Sequence, residues 1–221
     1  MAAAVGKAAT VPLIETGGSM LSRLMILIGV GVGAGLGGCS PGSDESTSPA
    51  GGETAQWQTL FDGSSLVGWT EVGDANWQLV DGAVQADSGT GFLLTNAIYD
   101  DFDLQLEFFV SPDANSGVFI RCANPSEIGA ATCYEVNIFD RRPDPSYRTG
   151  GIVDVAKPSA IIETGDQWNT YEISAHGSHL RVTLNGQTTV DTNDEKLVAG
   201  PFALQYGAGR VMFRNVRIRA D

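Results

Sequence analysis

The sequence has few of the residues that bind nucleic acid. Its 221 residues include 13 lysines and arginines against 26 aspartates and glutamates, which gives a formal net charge of −13. Arginines recur every two to four positions only at 210–219, inside a strand-like run, and no strong basic patch is present. We therefore expect no nucleic-acid partner. The acidic balance keeps a protein dispersed without identifying what it binds.

Histidine is also scarce, which limits the metal sites that the chain can build. The two histidines, His176 and His179, lie three residues apart across a Gly-Ser turn, and no cysteine or acidic cluster lies beside them. We do not expect a zinc site. A divalent cation held by carboxylates stays open, because oxygen ligands need no diagnostic spacing.

No hydrophobic run is long enough to be retained as a membrane-spanning helix. The longest, 24–38, has 15 apolar or glycine residues, fewer than the roughly 20 that a span needs. Arg23 precedes it and Cys39 follows it, which is the layout of a signal peptide. We expect 1–39 to be a leader that is removed. Translation can begin at Met1 or at Met20, since Met20 stands just before Arg23.

The leader ends in a motif that predicts a lipid anchor. Residues 36–39, Leu-Gly-Gly-Cys, resemble the lipobox of bacterial lipoproteins, in which the cysteine is acylated. This predicts that Cys39 anchors the protein to a membrane of the bacterial cell envelope. The alternative is a plain secretory leader with an incidental cysteine. Residues 40–55 are rich in Ser, Gly, Pro and acid and predict a disordered tether, so we expect one folded domain at 56–221.

The folded part shows a period of two and no helix of ordinary length. The predicted strands are WQLVDGAVQA, FDLQLEFFV, SGVFIRC, YEVNIFD, NTYEISAH, HLRVTLNGQTTV, GPFALQYG and RVMFRNVRIR. Asp81-Gly82 and Asn185-Gly186 suit two-residue type I′ hairpin turns. Many short antiparallel strands indicate an all-β sandwich or jelly roll.

Alternation along three of these strands predicts polar faces. If the strands are neighbours, their outward residues share one surface that combines carboxylate, guanidinium, amide and aromatic groups. Such a mixture suits a sugar, which offers hydroxyls to bond and C–H faces to stack. The residues are Glu107, Phe119, Arg121, Glu135, Asn137 and Phe139. The alternative is a solvated sheet face with cross-strand Arg–Glu pairs of small energy.

Several segments, in order, resemble the 3-keto-disaccharide hydrolase family over 57–219. They include WQTLFDG, NSGVFIR, YEVNIFD, WNTYEI, LNG, GPFALQ and FRNVRI. The resemblance implies a concanavalin-like jelly roll and cleavage of 3-keto-glycosides. In that chemistry the C3 carbonyl acidifies the C2 hydrogen, a base removes it, the glycosidic oxygen leaves C1 by β-elimination, and water then adds.

The resemblance assigns candidate roles for this chemistry, which needs a base, a group that stabilises the enolate and an acid. Glu135 is the expected base, and Arg121 is the electrostatic stabiliser or sugar anchor. Glu107 or Asp140 is the second acid or a metal ligand. The expected substrate contacts are Asn115, Asn137, Phe119, Phe139 and Gln205.

Two positions depart from the family pattern. A histidine commonly follows the Leu-Gln of the penultimate strand, whereas this chain has Gly207 in that region. A tyrosine common in the segment 149–153 is replaced by Val153. The alternative function is therefore a non-catalytic carbohydrate-binding lipoprotein with the same fold.

Cys122 and Cys133 end and begin two predicted strands. A disulfide between them suits an exported protein. Strict alternation would place them on opposite faces, so closure needs a bulge or a frayed strand end. The alternative is two reduced, partly buried thiols.

Overall fold

The computed structural model describes residues 56–220. The predicted leader, the lipidation site at Cys39 and the predicted tether lie outside the described residues. Within 56–220 there is no helix that is both long and apolar enough to cross a membrane.

Strands dominate the described part of the chain. They are β1 (Gln58–Phe61), β2 (Trp69–Gly73), β3 (Gln78–Val80), β4 (Ala83–Ala86), β5 (Gly91–Thr95), β6 (Phe102–Val110), β7 (Asn115–Ile120), β8 (Tyr134–Ile138), β9 (Trp168–His176), β10 (His179–Leu184), β11 (Gln187–Asn193), β12 (Ala203–Ala208) and β13 (Val211–Ala220). One 3₁₀ turn, Pro145–Tyr147, lies between β8 and β9.

The strands form two antiparallel sheets. The large sheet has the order β11-β10-β9-β6-β13-β4-β3, with β1 also paired to β13, and the small sheet has the order β2-β5-β12-β7-β8. The inward residues of both sheets form one hydrophobic core, and β6 alternates buried and half-buried residues along its whole length. Burying each large apolar side chain stabilises the fold by about 1.5–3 kcal/mol. The prediction of an all-β sandwich is confirmed.

Both predicted hairpin turns are present. Asp81 and Gly82 have φ angles of 50° and 76°, and Asn185 and Gly186 have 50° and 80°. Positive φ at both central residues is the signature of a type I′ turn. The turns join β3 to β4 and β10 to β11.

Candidate functional site

The outer face of the small sheet carries a gap flanked by two amide side chains. Gly117 on β7 lies opposite Gln205 on β12 and opposite Asn137 on β8. Neighbouring strands are about 4.8 Å apart, so the backbones of Gln205 and Asn137 are separated by about 10 Å. Because the residue between them is glycine, position 117 contributes no side chain of its own, and the Phe119 ring and the Gln205 Oε1 lie 3.2 and 3.6 Å from the place that a Cβ atom would take. We call this space the Gly117 gap.

Both amides have a buried oxygen that finds no hydrogen-bond partner within the described part of the chain. The Nδ2 of Asn137 donates to the carbonyl of Tyr147, which orients this amide because a carbonyl can only accept. The Oδ1 of Asn137 and the Oε1 of Gln205 are both buried and unpaired among the described residues. A buried polar group left unpaired costs about 1–3 kcal/mol. Gly117 and Asn137 are themselves buried, so the O–H or N–H donor of a ligand would reach these two acceptors only after the side chains around Gly117 move.

Glu135 lies on the same face of β8, two residues before Asn137. It is half-buried and stands opposite Phe119 of β7. Burial raises the pKa of the Glu135 carboxyl. The charge of Arg142 lowers this pKa, and the charge of Asp154 raises it. A carboxyl group with this environment suits proton transfer better than an exposed one.

A loop along the edge of β8 brings charged groups to Glu135. The amide of Asn137 donates to the carbonyl of Gly151, and the amide of Val153 donates to the carbonyl of Glu135, both at 3.0 Å. Asp154 follows with a φ of 61°, a left-handed conformation that is uncommon outside glycine and often accompanies function. The loop is thus hydrogen-bonded through Val153 to the backbone of Glu135, the predicted base.

Three side chains of this loop form a cluster that sequence reasoning missed. A hydrogen bond between the Tyr147 hydroxyl and Asp154 raises the pKa of Tyr147. The Arg142 guanidinium lies 5.3 Å from the centre of the Tyr147 ring. The charge of Arg142 lowers the pKa of Glu135, and the charge of Asp154 raises it. No periodic pattern marks loop residues, so only their charge and their nearness to the YEVNIFD motif could have signalled them.

The aromatic residues of this face differ from the prediction. Phe119 is 1% exposed, and the Phe92 ring meets it edge-on at 5.3 Å between centroids. The expectation that Phe119 contacts substrate is therefore wrong, because its ring is covered and can only form an apolar wall beside Glu135. Phe92 is half-buried, and so is Phe139, which follows the end of β8.

Asn115 fills the space beside Gly207. A Cβ atom at position 207 would lie 2.9 Å from the Asn115 Nδ2 and 2.9 Å from the Asn115 carbonyl oxygen. A larger residue at this point of β12, such as the histidine that the family pattern predicts in this region, would need Asn115 to move. Asn115, Asn137 and Gln205 belong to adjacent strands of the small sheet, as their predicted common role requires.

Arg121 is buried and structural, which corrects its predicted place on the shared surface. Its φ is 51° and its side chain is 1% exposed. The guanidinium donates to the carbonyls of Asp100, Gly177 and Leu197 at 2.8, 2.7 and 3.2 Å, and to the Asp101 carboxylate at 3.0 Å. The left-handed backbone breaks the strand alternation that predicted an outward side chain. Its donors tie three loops together, and the guanidinium does not face Glu135.

Glu107 does not join the site either. It lies on β6 of the large sheet, where it accepts from Arg214 and Asn215 at 2.7 Å each. Partial burial raises the pKa of Glu107, but hydrogen bonds from Asn215 and Arg214 outweigh that effect and lower the pKa overall. The expectation that Glu107 shares a surface with Glu135 is wrong, because the two glutamates belong to different sheets.

Asp140 is used as a loop anchor rather than as a free acid. Its carboxylate accepts from the hydroxyls of Thr149 and Thr164 at 2.5 and 2.9 Å, and from the amides of Thr164 and Gly165 at 2.6 and 3.1 Å. The residue is buried at 8% exposure. These four donors occupy both oxygens, which contradicts a role as second acid or metal ligand.

Cys122 and Cys133 are joined in a disulfide with their Cα atoms 4.2 Å apart. Arg121, with its left-handed backbone, follows the last residue of β7 and precedes Cys122, and both cysteines pack in the small cluster around Phe119. This is the frayed strand end that closure required. The bridge closes the loop between β7 and β8, beside the strand that carries Glu135.

No cluster of His, Cys, Asp or Glu among residues 56–220 has the three members needed to hold a metal ion. The two histidines instead approach aspartates of the large sheet, His176 with Asp103 at 3.3 Å and His179 with Asp191 at 2.9 Å. The predicted carboxylate-bound cation stays a prediction.

Comparisons with known proteins agree with this architecture. A family model described as a 3-keto-alpha-glucoside-1,2-lyase-like domain matches residues 56–219, and no curated protein matches the sequence. Two solved structures from Parabacteroides distasonis, described as glycosyl hydrolases, have TM-scores of 0.67 and 0.66 at 18% and 22% identity. Each covers 75% of this chain, with 94% and 100% of its own length. A carbohydrate-binding module, CBM66 from Bacillus subtilis, has a TM-score of 0.57 at 18% identity over 69% of this chain and 96% of its own.

Proposed function

Since the chain belongs to the 3-keto-alpha-glucoside-1,2-lyase-like domain family, we propose that it cleaves 3-keto-glycosides on the outer face of the small sheet. The observation that carries this proposal is the half-buried Glu135, with its raised pKa, beside the unpaired oxygens of Asn137 and Gln205. The first group moves a proton and the other two bind hydroxyls. A solvated sheet face would need neither feature.

In the proposed reaction Glu135 carries the proton through both steps. Its carboxylate takes the proton from C2, and the C2–H electron pair becomes the enolate that includes the C3 oxygen. The enolate then re-forms the C3 carbonyl, a double bond forms between C1 and C2, and the C1–O bond breaks. Glu135 returns its proton to the departing oxygen. It next takes a proton from the water that adds to C1 and delivers it to C2, which completes a net hydrolysis.

The loop cluster supports Glu135 in this scheme. The charge of Arg142 lowers the pKa of Glu135. We assign Arg142 to stabilise the enolate oxygen, the role that the sequence predicted for Arg121. Tyr147 bonds Asp154, which keeps a negative charge near Glu135 and its pKa raised. A raised pKa brings a carboxyl closer to the operating pH of a general base.

The Gly117 gap orients the sugar. The unpaired oxygens of Asn137 and Gln205 can only accept hydrogen bonds, so they select hydroxyl groups of the ring. Phe92, which like Phe139 is half-buried, is assigned to the C–H side of the sugar.

The test compares two glutamates that the sequence pattern makes equivalent. Purified protein is incubated with 3-keto-trehalose and with a 3-keto-β-glucoside, with and without EDTA, and release of the 3-keto sugar is followed. Glu135→Gln is expected to lower turnover by about 10²–10⁴-fold. The matched control Glu107→Gln, on the other sheet, is expected to retain activity within a few-fold. Equal losses in both variants, or none in Glu135→Gln, would overturn the assignment of the base.

The unpaired oxygens also favour a second function, non-catalytic carbohydrate binding at the same gap. This alternative is supported by Gly207, which stands where the family pattern predicts a histidine, and by Asn115 filling the adjacent space. A folded protein that binds the 3-keto sugar and never releases product would establish the alternative and exclude the enzyme.

We also propose that Cys39 is acylated and holds the domain at the bacterial cell envelope. The support is the apolar run at 24–38 followed by the lipobox-like sequence. Mass spectrometry of the mature N-terminus is expected to find a lipid-modified cysteine. Cys39→Ser should release the protein into the soluble fraction, and a variant that stays in the membrane would contradict the anchor.

A further inference from the structure

The outer face of the large sheet contains a groove that the proposed reaction does not use. It encloses about 460 Å³, within the range of about 300–1,000 Å³ that ligand sites occupy. Trp57 and Arg219 form one side, and Arg181 and Thr188 of the β10–β11 hairpin form the other. Residues of β6 and β9 line the floor. We call this space the Trp57 groove.

Trp57 supplies an aromatic platform at the edge of the groove. The residue is 36% exposed, although a tryptophan of a folded domain is usually well buried. The guanidiniums of Arg217 and Arg219 lie 4.9 and 5.2 Å from its ring centre. These two cations hold the indole in place, and the ring still lines the groove.

The floor of the groove presents fixed hydrogen-bonding groups. Arg219 bonds the Asp103 carboxylate with contacts of 3.2 and 2.5 Å, and the adjacent Gln105 is held by Arg217 at 2.8 Å. On the neighbouring strand, the exposed Glu172 lies opposite Gln105 and Ser174 lies opposite Asp103. Side chains that hold one another lose little rotamer freedom when a ligand binds.

We propose that the Trp57 groove binds a linear neutral oligosaccharide. Hydroxyl groups both donate and accept, so one ligand can meet the N–H groups of Arg219 and the oxygens of Glu172 together. The indole of Trp57 offers an apolar surface for the C–H face of a sugar ring. Charges of both signs occur in the groove, which suits a neutral ligand better than an anion.

The dimensions of the groove favour an oligomer over a single sugar. Its lining residues come from β6, β9, β10, β11 and β13, which are consecutive strands of the sheet. Four intervals of about 4.8 Å give a length of about 19 Å. This inference does not rest on the proposed reaction. It would place a chain-holding site on one sheet and a separate small-sugar site on the other.

The experiment is a calorimetric titration of the purified protein with maltohexaose, cellohexaose, laminarihexaose and glucose. At least one hexasaccharide is expected to bind at least about 10-fold more tightly than glucose. Trp57→Ala should weaken that binding by about 10-fold or more, since aromatic anchors dominate such interfaces. Thermal unfolding of the variant checks that it is folded.

The matched control is Trp168→Ala. Trp168 also lies on the large sheet with an arginine over its ring, Arg214 at 3.8 Å, but it does not line the groove. This variant should bind as the parent does. Absence of binding to all three hexasaccharides would overturn the proposal. So would binding that survives Trp57→Ala, or binding that Gly117→Ala abolishes, since the latter would place the ligand at the Gly117 gap.

Discussion

The outer faces of the two sheets are both polar, yet they differ in how their polar groups are satisfied. On the large sheet, β13 presents Arg214 and Arg219 to Glu107 and Asp103 of β6, with contacts of 2.7 and 2.5 Å. Arg217 of the same strand bonds Gln105. Each of these arginines therefore has a cross-strand partner, and Arg219 and Asp103 also line the Trp57 groove.

On the outer face of the small sheet, some polar groups are not paired in this way. Asn137 and Gln205 keep buried oxygens without partners among residues 56–220, and burial raises the pKa of Glu135. Such features cost stability, and folded proteins accept them mainly at functional sites. The paired groups of the large sheet hold the wall of the Trp57 groove in place, whereas the unpaired oxygens and the raised pKa of Glu135 on the small sheet mark the candidate reaction site.

The largest expected effect is the difference in stability loss between removing a buried arginine and removing an exposed one. Arg121→Ala should lower the free energy of unfolding by about 3 kcal/mol or more, because it leaves three loop carbonyls without their donor and Asp101 without its ion pair. Arg219→Ala on the large sheet should cost less than about 1 kcal/mol, since its ion pair is exposed. Urea denaturation of both variants measures the contrast. Similar losses would contradict the structural role of Arg121.

A smaller effect is expected from filling the Gly117 gap. In Gly117→Ala the new methyl group would lie 3.2 Å from the Phe119 ring, 3.3 Å from the Val136 carbonyl oxygen and 3.6 Å from the Gln205 Oε1, so the fold should lose about 1–3 kcal/mol. Turnover or sugar binding should nevertheless fall by about 100-fold, because a misplacement of about 1 Å can cost that much. Gly129→Ala, where a Cβ meets nothing within 4 Å, is the control. Unchanged activity in Gly117→Ala would remove the gap from the site.

The same substitution on the two sheets should change stability in opposite directions. Gln205→Met removes a buried, unpaired oxygen and should stabilise the fold by about 1 kcal/mol. Gln105→Met removes an acceptor bonded twice by Arg217 and should destabilise it by up to about 1 kcal/mol. Chemical denaturation gives both values. A loss of stability in Gln205→Met would show that this oxygen is satisfied in solution.

The smallest expected effect is a pH-dependent gain in stability. Because burial raises the pKa of Glu135 in the fold, the folded state binds its proton more tightly than the unfolded state. Ionised Glu135 is therefore destabilising, and stability is lost as pH rises through the raised pKa. Glu135→Gln should increase the Tm slightly at about pH 8 and leave it unchanged at about pH 4. An equal change at both pH values would contradict the burial effect.

Strands with clean alternation were predictable, and those without it were not. The pattern of β6 and the turns at Asp81-Gly82 and Asn185-Gly186 follow from local chemistry. The predicted strands did not include β1, β2 or β5. The β5 sequence GFLLT has four buried residues and only one half-buried one, so it shows no period of two, and β1 and β2 are short and largely exposed.

The candidate site was only partly predictable for a related reason. Alternation places Glu107 and Glu135 in equivalent environments, and only the sheet order, a non-local property, assigns them to opposite faces. Arg121 was misplaced because its left-handed φ of 51° breaks the alternation at the end of a strand. Family resemblance selected Glu135, Asn137 and Gln205. It gave no indication of Arg142, Tyr147 and Asp154, which come together through an irregular loop.

A crystal structure of the protein soaked with 3-keto-glucose tests the central claim most directly. We expect a sugar over Gly117, with hydroxyls within about 2.6–3.2 Å of the Asn137 Oδ1 and the Gln205 Oε1 and with C2 facing Glu135. Sugar bound elsewhere, with both amide oxygens left unpaired over an empty gap, would contradict it.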